Sequence, residues 1–211
     1  MLMTTDERTL TPGDDLARAL DEAPAGAVFQ LAAGEYRLPG TLRVDQDVTL
    51  RGAGRNHTRL VGEGADAVLH VAPGARLRVQ GVELAHDGPA AADVVIVEGE
   101  ADLEGCGVSG ARLAPGAGAD GPGGCGVRAV GRAGVTIYGC AISACGGHGA
   151  FAADDAALTV DGGTLAGNDG CGAVFAGRAG GEGEPGQPVA GEGAAIEGRG
   201  GLVADLSLIH I

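Results

Sequence analysis

Residues 97–104 read Val-Glu-Gly-Glu-Ala-Asp-Leu-Glu, so four acids alternate with small or apolar residues. In an extended strand, alternation sends the two sets to opposite faces. Val97, Gly99, Ala101 and Leu103 then face a core, and Glu98, Glu100, Asp102 and Glu104 face solvent together. Carboxylates in that arrangement suit two chemistries. They can bind a hard cation such as calcium. A pair such as Asp102 and Glu104 could also do the acid–base work of an inverting glycosidase, whose carboxyl groups stand roughly 6.5 Å or more apart. A second feature is His148, held between Gly147 and Gly149 and followed by Asp154 and Asp155. A third is a set of five cysteines, Cys106, Cys125, Cys140, Cys145 and Cys171. The number is odd, and the start MLMTTDERTL lacks the basic segment and apolar run of a secretory signal. The thiols therefore read as reduced small hydrophobes rather than a disulfide framework. The expected location is cytoplasmic, or extracellular if the natural N-terminus lies upstream.

Composition limits what else these residues can serve. All 14 basic residues are Arg against 28 acids, for a net charge of −14 over 211 residues. Nucleic acid and anionic membrane surfaces require a basic footprint, so neither is an expected partner. No apolar run reaches the ~18 residues of a membrane-spanning helix. Trp is absent, Phe is 3 and Tyr is 2, so Val, Leu, Ile and Ala must build the core.

The elements that must position the candidates emerge from a repeat. Residues 125–147, CGVRAVGRAGVTIYGCAISACGG, align with 148–170, HGAFAADDAALTVDGGTLAGNDG, both 23 long. A shorter block recurs more widely: VTLRG (48–52), LRVQGVEL (77–84), ADLEGCGV (101–108), VTIYGCAI (135–142) and LTVDGGTL (158–165). Its glycine always falls in the same place, at Gly52, Gly81, Gly105, Gly139 and Gly162. Each is expected to take positive φ in a tight bend, where a Cβ is resisted. Gly131, outside the block, is expected to tolerate a side chain. Leu50, Val79, Leu103, Ile137 and Val160 should point inward before the bend, with Val82, Cys106 and Cys140 after it. Short strands, tight bends and a fixed period predict an all-β solenoid of about seven coils, stacked about 4.8 Å apart.

The residues around the repeat extend the pattern. DDLARALDEAPAGAVFQLAAGEYRL (14–38) reads as a short helix leading into a first coil, and LRGAGRNHTRLVG (50–62) as a second. Over about residues 12–205 the chain resembles the right-handed parallel β-helix of pectin-lyase-like proteins. The resemblance implies an extended or disordered segment at 1–11 and a cap helix at about 14–22, with Leu16 and Leu20 covering the open end of the core. Insertions at 111–123 and 181–194 read as loops bulging from the stack. The last six residues, LSLIHI (206–211), break composition and register and match the translation of a transposon-end sequencing adapter. The natural protein is therefore expected to continue with further coils past Asp205.

That fold hosts lyases, hydrolases, epimerases, adhesins and non-catalytic scaffolds, so it implies architecture more than activity. Polygalacturonases of this fold carry Gly-His-Gly at such a strand start, but also need Asp residues one and two coils upstream and a later Arg-x-Lys. One coil above His148 stands Cys125, and the chain has no Lys. His148 thus reads as one member of a Cys125/His148/Cys171 column. Cys125 and Cys171 are two coils, about 10 Å, apart, too far to share a metal bound at about 2.3 Å. In the acidic alternation, a 24-residue offset sets Arg76 on Glu100 and Arg78 on Asp102, and a 34-residue offset sets Arg132 on Glu98. An ion-pair ladder is the expected outcome, and calcium is the one cofactor left open. The outward row Arg51, Gln80, Glu104, Tyr138 and Asp161, with Arg78 and Asp102 beside it, is the candidate ligand-facing surface for a polysaccharide or protein partner. The expected function is a non-catalytic scaffold or binding module. The alternative is part of a polysaccharide lyase, hydrolase or epimerase whose catalytic coils lie beyond this chain.

Overall fold

The structure, a computed structural model, describes residues 6–117 and 123–176, with a further backbone strand at Val203–Ala204. It is an all-β parallel solenoid of about seven turns, closed by three sheets around one core. The first sheet runs Glu7–Leu10, Ala27–Leu31, Val48–Gly52, Arg76–Gln80, Glu100–Glu104, Gly134–Tyr138 and Ala157–Asp161. The second contains Thr58–Gly62, Glu83–His86, Gly107–Ser109 and Ala141–Ser143, and the third contains Asp66–Val71, Ala92–Val97, Val127–Ala129 and Ala150–Ala153. All three sheets share the 23-residue period, pairing Gly134 with Ala157, Ala141 with Thr164 and Val127 with Ala150.

Alternation does what the sequence requires of it. Leu50, Val79, Leu103, Ile137 and Val160 are buried before the bend, and Val82, Cys106 and Cys140 after it. At the first coil Phe29 and Tyr36 supply bulk, and Tyr36 donates its hydroxyl to the Leu10 and Ala32 carbonyls at 2.8 and 3.1 Å. The cap helix is shorter than expected, Leu16–Asp21, because Asp15 serves as its N-cap and accepts from the Arg18 N–H at 3.0 Å. Leu16 and Leu20 are buried against the core end, as their spacing demands. Upstream of the helix, Glu7–Leu10 pairs in parallel with Ala27–Leu31 as the edge strand of the first sheet.

Two glycine expectations are corrected. Gly81, Gly105, Gly139 and Gly162 have φ of +61°, +59°, +60° and +67°. Gly52 does not share this conformation. There the constraint is space, since a Cβ would run into the Gly81 carbonyl oxygen. Gly131, expected to be permissive, has φ +68° and carries the same backbone strain for any side chain. The insertion at 111–123 is also more than a bulge. Arg112 pairs antiparallel with Ala92 and Leu113 with Gly123, anchoring both of its ends to the start of the third sheet. The expected loop at 181–194 and the tail at 206–211 lie outside the described residues.

Candidate functional site

Register assembles the expected outward row on the first sheet. Arg51, Gln80, Glu104, Tyr138 and Asp161 lie opposite one another on successive coils, with Thr49, Arg78, Asp102, Thr136 and Thr159 as the adjoining row. Hydrogen bonds run between coils along these rows. The Arg51 Nε donates to Gln80 Oε1 at 3.0 Å, Gln80 Nε2 to Glu104 Oε2 at 2.6 Å, and Arg78 to Asp102 at 3.2 Å. Arg76 forks onto Glu100, and that bond raises the Arg76 pKa above its ordinary value. Tyr138 stands out of this ladder at 55% exposure, the only exposed large hydrophobic among the described residues. Arg78, Gln80, Asp102, Leu103, Glu104 and Thr136 line a shallow groove with it.

One rung differs from expectation. Glu98 does not pair with Arg132; its carboxylate lies 3.8 Å from His70 Nε2. Gly134 meets Glu100 in the ladder, so Arg132 falls in the turn before the strand, exposed, with no ion pair among the described residues.

A second constellation sits where the third sheet begins. The column contains Cys125, His148 and Cys171 as expected, and it continues upward to Asp93. Asp93 accepts from the Cys125 N–H at 2.7 Å and from Arg128 Nε at 2.7 Å. This ion pair is enclosed, with side-chain exposures of 13% for Arg128 and 4% for Asp93. The Arg128 guanidinium lies 4.9 Å from the centroid of the Phe151 ring, and His148 stacks on the same ring at 5.8 Å. His148 Nδ1 accepts the Cys171 N–H at 2.9 Å, so in the neutral ring the proton sits on Nε2. Asp154 and Asp155 do not join this group; Asp154 caps a turn, accepting from the Gly131 N–H at 3.2 Å.

Sequence reasoning missed Asp93 and Arg128. Their coils are separated by the insertion, so the offset there is 32 residues rather than 23. The available signal was a lone acid inside the apolar strand Ala-Asp-Val-Val-Ile-Val (92–97). An Asp two coils above a Gly-His-Gly histidine is what the polygalacturonase pattern asks for. Here its carboxylate is buried, and both oxygens already accept, one from the Cys125 N–H and the other from Arg128.

No protein-family model matches the chain, and no curated protein does. Among solved structures, an arginine-to-alanine mutant of AlyGC, an alginate lyase of family PL6, is similar with a TM-score of 0.55 and 14% identity. The match covers 81% of this chain and 28% of that one, so the chain spans little more than a quarter of that enzyme's length. At this identity the likeness shows the fold, the right-handed parallel β-helix of pectate-lyase-like proteins.

Proposed function

With that fold as the premise, we propose that the chain is a non-catalytic β-helix module whose first sheet binds a glycan along the Tyr138 groove. The observation that carries this reading is Tyr138 itself, a ring kept exposed on a sheet face among mostly polar neighbours. An exposed ring offers a stacking platform for the apolar face of a sugar. Glu104, Asp102, Gln80 and Arg78 supply acceptors and donors for its hydroxyls. Their hydrogen bonds between coils hold them in place before any ligand arrives, which lowers the ordering cost of binding. Strands rather than loops carry the site, which favours a fixed geometry. A binding role fits better than hydrolysis because Asp102 and Glu104 share an open surface rather than an apolar pocket.

The test is affinity electrophoresis through gels containing neutral or uronate polysaccharides, with product assays in parallel. Retardation by at least one polysaccharide, lost in Tyr138→Ala and unaccompanied by new reducing or unsaturated ends, is the expected result. Retardation that survives Tyr138→Ala would remove the groove from the account.

The polysaccharide-active reading has one observation in its favour, Asp93 in the His148 column. Chain cleavage abolished by His148→Ala would replace the binding reading with that one.

A further inference from the structure

Cys106 and Cys140 follow the bend glycines Gly105 and Gly139 on successive coils, and register places them against each other. Both are fully buried. The Cys106 N–H points at the Cys140 sulfur at 3.3 Å, and the two thiols are near enough to influence each other's ionisation. Their Sγ atoms otherwise reach only backbone carbonyls, of Val79 and Glu104 for Cys106, and of Leu103 and Tyr138 for Cys140. In-register neighbours on adjacent parallel strands have Cα atoms about 4.8 Å apart, within the range of roughly 4.4–6.8 Å that a disulfide spans. Above the pair the column holds Val82, and below it Gly163, which sets no side chain on the Cys140 sulfur.

We infer that Cys106 and Cys140 are a redox-active pair, and that hydrogen peroxide converts them to a disulfide joining two successive coils. Cys140 is the easier thiol to ionise, because the neighbouring Cys106 lowers its pKa and the Cys106 N–H donates to its sulfur. Burial and the neighbouring sulfur push Cys106 the other way. Attack therefore begins at Cys140. The Cys140 thiolate displaces hydroxide from peroxide and becomes a sulfenic acid. The Cys106 sulfur then attacks the Cys140 sulfur, loses its proton and expels water. The balance is two thiols and one peroxide giving one disulfide and two waters. Peroxide is close to water in size, and Gly139, the residue before Cys140, is exposed.

Cys145 competes poorly. Burial pushes the Cys145 thiol up to about 12, which keeps it protonated at neutral pH. Cys125 and Cys171 have His148 between them in their column.

The experiment treats the full chain with hydrogen peroxide, removes the oxidant, unfolds the protein and counts thiols, with peptide mapping by mass spectrometry. Loss of two of the five thiols and a Cys106–Cys140 cross-link are expected. The closed loop spans a sequence separation of 34, and the midpoint of thermal unfolding should rise by roughly 5–10 °C. Both changes should be absent in Cys106→Ser and Cys140→Ser. Five intact thiols, a cross-link through another cysteine, or over-oxidised Cys140 without a link would each overturn the inference. Because the first count uses the unsubstituted chain, it stands even if a serine variant folds badly.

Discussion

Arg78–Asp102 on the first sheet and Arg128–Asp93 near the strand starts of the third are built from the same residue types, and each joins one coil to the next. They differ in what surrounds them. Arg78 and Asp102 are 52% and 39% exposed, whereas Arg128 and Asp93 are 13% and 4% exposed. In water the first pair is screened and has little net effect on stability. Enclosed under Phe151 and beside His148, the second cannot lose one partner without leaving the other as a buried charge. The solenoid thus uses one kind of contact in two ways. On the open face it keeps a surface ordered and available to a ligand, and at the covered edge it locks the strand starts beside the insertion.

The largest effect that tests this contrast should come from Asp93→Ala. Chemical denaturation is expected to show a loss of about 3–5 kcal/mol, the cost of stranding Arg128. A loss below about 1 kcal/mol would mean the edge is no more rigid than the face. Next in size is the bend that joins the first sheet to the second. Gly139→Val should cost about 1–3 kcal/mol through its φ of +60°. Gly134→Val provides the control, because a Cβ there meets nothing closer than the Glu100 Cγ at 3.8 Å and its backbone is not left-handed. Equal shifts in melting temperature for the two would break the argument from backbone strain.

Smaller still, Arg78→Ala should change stability by about 0–1 kcal/mol, less at high salt, while weakening retention by any polysaccharide that Tyr138→Ala releases. A large stability loss there would make the face structural rather than ligand-facing. The smallest expected effect lies at the helix cap. The Thr11 N–H and hydroxyl hold the Asp14 carboxyl below its usual pKa. With the folded pKa depressed, this contact contributes above the ordinary carboxylate range and is lost as pH falls through the folded value. Asp14→Asn should therefore lower stability slightly at neutral pH, leave acid pH nearly unchanged, and so flatten the acid side of a stability–pH profile.

The sequence by itself determined the solenoid, its period and its inward row. The cause is local: a two-residue side-chain period sorts Leu103 from Glu104 without reference to distant parts of the chain. The recurring block also sets the register of the outward row, so Arg51, Gln80, Glu104, Tyr138 and Asp161 align from the sequence alone. Composition told less about which glycine bends strain the backbone, since Gly52 and Gly131 look alike as letters and differ in φ. Only the tertiary structure joined Asp93 to Arg128, residues 35 apart across an insertion that shifts the period. It alone decided which charges are covered, because burial depends on what other coils and inserted chain place over a strand. The same holds for Cys106 and Cys140. Their column was legible in the repeat, but the approach of the Cys106 N–H to the Cys140 sulfur depends on how closely two coils stack.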